Sequence, residues 1–477
     1  MTTLTEDFRV TGQTLATSFS EQKAAFRREN ISSLTKRKDD LKKLHRALLK
    51  NQDKLAIAIS DDFGQRSPYE TKILELFPCV EAVKYALKNL KKWMSTEKKS
   101  LSIWFKLAKA QVVYQPLGIV GIIVPWNYPL FLAIEPLVGA LAAGNHVMIK
   151  MSENSPKATT VLREILAEIF PKNQVAVISG GRGVGTEFSS LPFDHMLFTG
   201  STEVGKNVMQ AASANLTPVT LELGGRCPAI IGRDANLSLT VERLMMSKLL
   251  NAGQSCVAPS YVMIPSGLED RFFSLCKDFV ASRYSHFNKN KDYTSLATRS
   301  QYERLKYYLE DAVDKDAKVI PLGPSKEKPC EISRIMPPYL LHHCHDEMLV
   351  MQEEIFGPIL PVISYDTLGE AIQYINDRPH PLALYYFSNK QSDIDRVNRQ
   401  TLSGGLSINE TLVHAVQDSL PFGGVGPSGM GQYHGRDGFE TFSKKKGVFI
   451  QSKFSALNLL HPPFGPLTKF FLKFMLR

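Results

Sequence analysis

The sequence predicts an α/β protein made of two doubly wound domains and a small protruding β-strand arm. Three observations carry that prediction. From residue 118 onward, β-branched runs alternate with helix-like runs across short joints, the order that builds a mainly parallel sheet covered on both faces. A second alternating series begins at Pro228 and ends near Gly405. The length, 477 residues, exceeds what one core holds, since single cores stop growing near ~250 to 300 residues.

Taken in order, residues 20–97 read as amphipathic scaffold helices, with Leu34, Leu41, Leu44, Leu48, Leu55 and Ile59 recurring near the helical period. Between 98 and 116 the runs 101–105 and 110–114 suit a short strand pair standing off the body and used for association. Strands follow at 118–124, 146–150, 174–179 and 194–199, and helices at 128–143, from Ser155-Pro156, and at 201–212. Serine as cap and proline at the first helical position make Ser155-Pro156 a good helix start. Polar residues fall at the carboxyl ends of these strands: Trp126 and Asn127, Lys150 to Glu153, Gly200 and Ser201, and Glu222. In doubly wound sheets that is where ligands bind. Later, 352–358 and 421–429 read as glycine-proline loops, and 441–450 as a late strand able to return to the protruding pair.

Composition limits the function classes. With 43% hydrophobic and 22% charged residues the chain reads as globular, and no run of about 18 apolar residues could span a bilayer. The net charge is +10, and the first 110 residues hold 22 Lys/Arg against 13 Asp/Glu. These bases interleave with Leu and Ala at helical spacing, without an aromatic stacking pattern, so a solvated face is favoured over a nucleic-acid surface. Six scattered cysteines indicate free thiols in a reducing compartment, hence a cytoplasmic location. The start, residues 1–7, has early acids and no apolar core of signal length.

The stretch 218–259 carries the chemistry. A β-like run delivers Glu222 just before Gly224 and Gly225, and Cys256 follows a glycine-marked break after the apolar helical run 239–250. A thiolate is a strong nucleophile, and a carboxylate can accept a proton or activate water. Each alone has a bland reading, a buried small hydrophobe or a strand end. Elsewhere, Gly180 to Gly185 lacks the G-x-G-x-x-G spacing of dinucleotide loops and reads as a turn. Gly200, Ser201 and Gly205 follow a strand and open a helix, where N–H groups and the helix dipole favour an anion. The run His342-His343-Cys344-His345 points its side chains to alternate faces and has no second half-site, so no metal is expected.

Taken together these words resemble the aldehyde dehydrogenase family, from about residue 28 to about 450. Pro125 to Pro129, Ile149 to Glu153, Phe198 to Gly205, Leu221 to Gly225, Gly253 to Cys256, Glu353 to Pro358 and Pro421 to Gly429 occur in the family's order. The resemblance implies two Rossmann-like domains: a dinucleotide-binding domain (1–97 and 117–222) and a catalytic domain (223–425). It also implies an oligomerisation arm (98–116 and 437–453), leaving 454–477 as an amphipathic C-terminal tail. It implies that Cys256 attacks an aldehyde, that Asn127 and the Cys256 N–H hold the oxyanion, and that Glu222 activates the water that releases the acid. NAD or NADP would be the oxidant. Lys150 and Glu354 would hold its riboses, Glu153 would lie near the adenosine ribose, Ser201 would face the pyrophosphate and Phe356 would support the nicotinamide. Trp126, Gly200 and Gly205 belong to the same cofactor words.

Arg226 and Met151 replace residues common in the family, without removing a reacting group. The chain also lacks the long N-terminal extension of many tetrameric members, like the shorter branch, which implies a homodimer. Within that branch, 409–424 and 431–435 most resemble the coniferyl aldehyde dehydrogenases, implying aromatic or long apolar aldehydes. His414 would then line the substrate entrance or be a plain loop histidine. In the tail, Lys469, Lys473 and Arg477 share one helical face and Leu467, Phe470, Phe471 and Phe474 another. That pattern suits docking on its own or a partner subunit first, and weak peripheral membrane contact second. The alternatives to a free-acid dehydrogenase are a CoA-acylating relative, which usually lacks the base at Glu222, and a non-enzymatic binding protein on the same fold.

Overall fold

The scaffold helices form because their apolar residues recur on one face. In Leu34–Lys50, Leu41, Leu44 and Leu48 are buried, and Ser33 caps the start by accepting the Lys36 N–H at 3.2 Å. With Gln52–Phe63 and Phe77–Trp93 this helix covers Phe131–Ala143 and Pro156–Ile169, which in turn cover the first sheet. The computed structural model describes residues 12–29, 31–284, 286–323, 327–453 and 461–476. The N-terminal stretch 1–7 and, in the tail, 454–460 and Arg477 lie outside the described residues.

The first sheet has six strands in the order Gly429–Met430, Val219–Glu222, His195–Thr199, Ile119–Ile123, His146–Lys150, Val175–Ile178. All pairs are parallel except the short Gly429–Met430 edge. The three central strands are buried along their whole length, as a sheet covered on both faces requires. From Ile119–Ile123 the chain winds outward one way, then returns to His195–Thr199 and winds the other way. The switch point therefore lies between the ends of those two strands, where a crevice must open.

The second sheet has seven strands, in the order Lys318–Pro321, Tyr339–His342, Ile359–Tyr365, Tyr261–Pro265, Pro228–Ile231, Ala383–Phe387, Gly405–Ile408. Only the first pair is antiparallel. Both predicted alternating series are thus present. A third sheet joins Glu97–Lys99, Lys109–Pro116 and Ser443–Ile450, so the late strand does return, in register from Ser443 opposite Pro116 to Ile450 opposite Lys109.

Two local expectations differ from the structure. Residues 101–105 were read as strand, but Ile103–Phe105 is one 3-10 turn. Pairing of Lys99 with Ala110 makes the residues between them a reversing loop with no partner strand. Gly180 to Gly185 is a turn only at its start, because Arg182–Ser189 is a helix. The tail forms the helix Pro466–Met475, and its Phe474 ring meets Trp104 of the arm edge-on at 5.7 Å. All six cysteines are free thiols, and among the described residues no helix is long and apolar enough to cross a membrane. Among them, too, no cluster of His, Cys, Asp or Glu is arranged to hold a metal ion.

Candidate active site

Cys256 is delivered by a backbone elbow. After Leu237–Leu249, three successive residues take positive φ: Asn251 (53°), Ala252 (51°) and Gly253 (74°). Such a run is costly unless the surroundings fix it, and here they do. The Asn251 N–H donates to buried Glu70, which also accepts from Thr294. The Asn251 amide donates to the carbonyls of Asn127 (3.1 Å) and Gln254 (3.0 Å). Gln254, fully buried, donates to Ser295 O at 3.1 Å and accepts the Ala297 N–H at 2.9 Å. At Gly253 a Cβ would lie 2.4 Å from the Gly357 carbonyl oxygen. Gly253→Ala is therefore expected to destabilise the protein by about 2 kcal/mol or more and to lower turnover. A denaturant melt at wild-type midpoint would reject this account of the elbow.

Asn127 and Glu222 line one cavity with Cys256; Asn127 follows the strand Ile119–Ile123, and Glu222 ends the strand Val219–Glu222. Asn127 is buried, and its Nδ2 donates one hydrogen to Gln254 O at 3.3 Å, leaving the second free. Its segment is anchored by a buried ion pair: Arg66 meets Glu75 at 2.5 Å, and Glu75 in turn accepts the Leu130 and Phe131 N–H groups that start the helix Phe131–Ala143. Glu222 is 3% exposed, and neither carboxylate oxygen has a hydrogen-bond partner within the protein. Burial alone pushes its carboxyl well above the usual range. The Cys256 thiol is likewise pushed up by burial, then by the carboxyls of Glu354 and Glu222. Burial thus disfavours charge on both groups.

Two cavities meet at this pair. One is a crevice of about 760 Å³ at the switch point, lined by Trp126, Gly200, Ser201, Glu354 and Phe356 among others. The second is a narrow apolar tunnel of about 80 Å³ lined by Tyr128, Phe131, Phe422 and Tyr433. Thr199, Glu222 and Cys256 line both.

The crevice fits a dinucleotide. Its volume is that of a small-molecule site. Ser201 caps the twelve-residue helix Thr202–Ser213, whose first residues line the crevice, and Lys206 and Arg226 add positive charge. Phe356 packs edge-on against Trp126 at 5.4 Å. Arg304 holds that loop by donating to the carbonyls of Glu354 (3.0 Å) and Ile355 (2.7 Å). The Glu354 carboxyl lies on the glycine pair, so a Cβ at Gly224 would fall 2.0 Å from its Oε2. Burial raises it to about 7, against the pull of the Gly225 N–H, Arg304 and Lys248.

Other sequence candidates sit elsewhere. Lys150 and Glu153 do not line the crevice; the buried Lys150 Nζ lies 3.2 Å from a Glu153 oxygen at the end of the strand His146–Lys150. Gly205 is packed under Leu223 and Phe198, where a Cβ would come within 2.5 Å of Leu223. His414 is buried against Gly405 and within 2.9 Å of Ser407 Oγ, while Leu412, Ala415 and Val416 line the tunnel instead. The sequence reading missed Glu70, Asn251, Gln254, Lys248 and Arg304. Asn251 and Gln254 were visible as polar residues beside the cysteine, and Lys248 lies just before them; Glu70 and Arg304 lie far off in sequence and carry no local signal.

A doubly wound sheet with a nucleotide-sized crevice at its switch point, meeting an apolar tunnel at a thiol and a carboxyl, defines a nucleotide-dependent oxidoreductase with a covalent site. The comparisons agree. The aldehyde dehydrogenase family model matches residues 9–448. The "Probable coniferyl aldehyde dehydrogenase" of Pseudomonas aeruginosa is 51% identical over 447 residues, covering 94% of this chain and 93% of that protein. Staphylococcus aureus AldH in its substrate-bound state superposes with a TM-score of 0.91 at 36% identity, covering 97% of this chain and 99% of that one. The Mycobacterium tuberculosis aldehyde dehydrogenase complexed with NAD+ gives 0.84 at 27% identity, covering 93% and 92%. The chain belongs to the aldehyde dehydrogenase family. Its reaction is the NAD(P)-dependent oxidation of an aldehyde.

Proposed function

We propose that Cys256 is the nucleophile, that Asn127 and the Cys256 N–H hold the oxyanion, and that Glu222 is the base of hydrolysis. The observation carrying this reading is that the two cavities share Thr199, Glu222 and Cys256. The aldehyde enters from the tunnel, and its carbonyl carbon bonds to the Cys256 sulfur as the thiol gives its proton to water in the crevice. The free Asn127 Nδ2 hydrogen and the Cys256 N–H then stabilise the tetrahedral oxygen, worth about 2.7 to 4 kcal/mol for a well-placed donor. NAD or NADP held in the crevice would supply the two-electron acceptor needed for the Cys256 adduct to become a thioester. Glu222 takes a proton from water attacking that thioester, and the acid departs.

On the cofactor side, Ser201 and Gly200 present the helix N-terminus to the pyrophosphate. Trp126 and Phe356 wall the nicotinamide end and Glu354 serves the nearer ribose, while Lys150 and Glu153, outside the crevice, would meet the adenosine ribose only where the dinucleotide runs past its rim. Gly205 lets the helix Thr202–Ser213 sit close to the sheet. Residues 1–97 and 117–222 form the dinucleotide-binding unit, 223–425 the catalytic unit, and 98–116 with 437–453 the association arm.

The aromatic tunnel walls and the likeness to the Pseudomonas aeruginosa protein support aromatic aldehydes such as coniferyl aldehyde, or long apolar ones, as substrates. The test is NAD(P)H absorbance over a panel of aromatic and aliphatic aldehydes, with and without CoA. Short polar aldehydes turning over best would overturn the substrate class, and dependence on CoA would overturn release to water.

Exposed Ile103, Leu107, Phe449 and Ile450 on the arm support a homodimer, and the six free thiols support the reducing setting of the cytoplasm. Sedimentation of the full chain as a monomer would reject it. For the tail, the Phe474–Trp104 contact supports docking on the arm, while exposed Leu467 and Phe470 support a weak membrane contact as the second reading. A tail deletion that still floats with anionic liposomes would remove the membrane role.

A further inference from the structure

A base that takes a proton in every turnover must lose it before the next, and Glu222 has no protein partner to give it to. Other buried polar atoms of the described residues share this condition: Thr199 Oγ1 and Tyr433 Oη, whose residues line the tunnel with Glu222, and farther on both nitrogens of His434 and Glu135 Oε2. A single such atom costs about 1 to 3 kcal/mol when left unsatisfied. A cluster of them persists where internal waters join the groups.

The groups stand in file. Glu222 and Tyr433 both line the tunnel, and a Cβ on Gly423 would lie 3.1 Å from Glu222 Oε1. Phe422, the neighbour of Gly423, accepts the Tyr433 N–H at 3.3 Å, and its ring lies 6.0 Å from the Tyr433 ring. The Tyr433 and His434 rings meet at 4.5 Å. His434 then packs on Phe131, one turn before Glu135 on the same helix face, and the Gly435 N–H is donated to the Glu135 carboxyl. On the far side Gly435 abuts the Asp418 backbone carbonyl, and the partly exposed Asp418 carboxylate is near enough to act electrostatically on Glu135. Glu135 itself is 2% exposed and among the described residues makes no ion pair under 4 Å. As packing, that carboxyl is a poor choice.

We propose that Tyr433, Glu135 and Asp418, joined by internal water, form the proton exit from Glu222 to the protein surface. In each turnover the Glu222 carboxyl gives up the one proton taken from the hydrolytic water. Tyr433 accepts it on its oxygen while releasing its own hydroxyl proton, the Glu135 carboxyl accepts on one oxygen and releases from the other, and Asp418 passes one proton to solvent. No station changes its net charge over the cycle. Burial, then the Asp418 carboxylate, holds Glu135 well above the usual carboxyl range, which favours the acid form, able to donate and accept at once. Burial, then the Glu81 carboxylate, raises Asp418 to about 6, suiting release near neutral pH. His434 is held neutral, lowered to about 3 by burial and then by His414, and serves as a water partner rather than a charged trap.

This inference rests on Glu222 being the base of hydrolysis, and the experiment separates the two. In Glu135→Gln, first-turnover NAD(P)H formation should match wild type, while later turnovers slow by about tenfold. Added formate or imidazole, small enough to enter the tunnel, should restore the later turnovers. Tyr433→Phe, which also touches the tunnel wall, should show the same slowed, buffer-rescued later turnovers relative to its own first turnover. A merely structural role would not give buffer rescue. Wild-type steady turnover in both variants, or a loss that no buffer restores, overturns the relay. Should Glu135→Gln not fold, as read by circular dichroism, Asp418→Asn at the partly exposed end takes its place under the same criteria. Steady turnover of Glu222→Gln at the wild-type rate would instead remove the base, a failure distinct from that of the relay.

Discussion

Cys256→Ala is expected to lower aldehyde-dependent NAD(P)H formation by about 10⁴-fold or more, as removal of a covalent nucleophile does. The argument is geometric. Cys256 is one of three residues common to the polar crevice and the apolar tunnel, and the other two are a threonine hydroxyl and a carboxyl. Neither of those can form the thioester, and Cys227, the nearest other thiol, is buried and donates its S–H to the Cys256 carbonyl at 3.2 Å. Because the elbow is fixed by Glu70, Asn127 and Gln254 rather than by the thiol, the variant should fold and bind NAD+ normally. Retained activity in a variant with a wild-type melt would remove the proposed nucleophile.

Glu222→Gln should separate the two halves of the reaction. Its first turnover should survive as a burst of NAD(P)H, because attack and oxidation do not require water activation. Steady turnover should then fall by about 10²- to 10⁴-fold, the usual contribution of a positioned base. In wild type the base acts only when ionised, and burial holds its carboxyl well above the usual range, so the deacylation rate should climb with pH through neutrality. The variant should lose that limb.

Stability gives an independent check with the opposite sign. A carboxyl whose folded value is raised is more protonated in the fold than in the unfolded chain. Its contribution is therefore present below the ordinary glutamate range and is lost as pH rises toward the raised value. Glu222→Gln should accordingly resist unfolding better than wild type at pH 8 and show little difference at pH 4. Equal melting temperatures at both pH values would contradict the buried, unpartnered state of the carboxyl.

Much of this was legible in the primary sequence because it is written locally. Strand and helix alternation depends on β-branched runs and on the helical period, both short-range, and both alternating series formed where the residues placed them. The nucleophile and base words are local too, since a glycine beside a cysteine, or a glycine pair after a strand-end carboxylate, marks an unusual backbone. The 101–105 turn was misread because a strand needs a partner, and the pairing of Lys99 with Ala110 left none there.

What the sequence determined by itself was the order of elements and the kinds of reacting group, since propensity, period and side-chain chemistry belong to neighbouring residues. Tertiary structure alone decided which groups share a space. It put Glu70 beneath Asn251, 181 residues away, turned Glu354 onto the glycine pair, and left Lys150 beside Glu153 outside the crevice. Such meetings follow from how sheets stack and where burial removes water, and a linear pattern carries neither. The pKa values shift for the same reason: Glu222 is an ordinary carboxylate in the chain and an uncharged acid only once the fold closes over it.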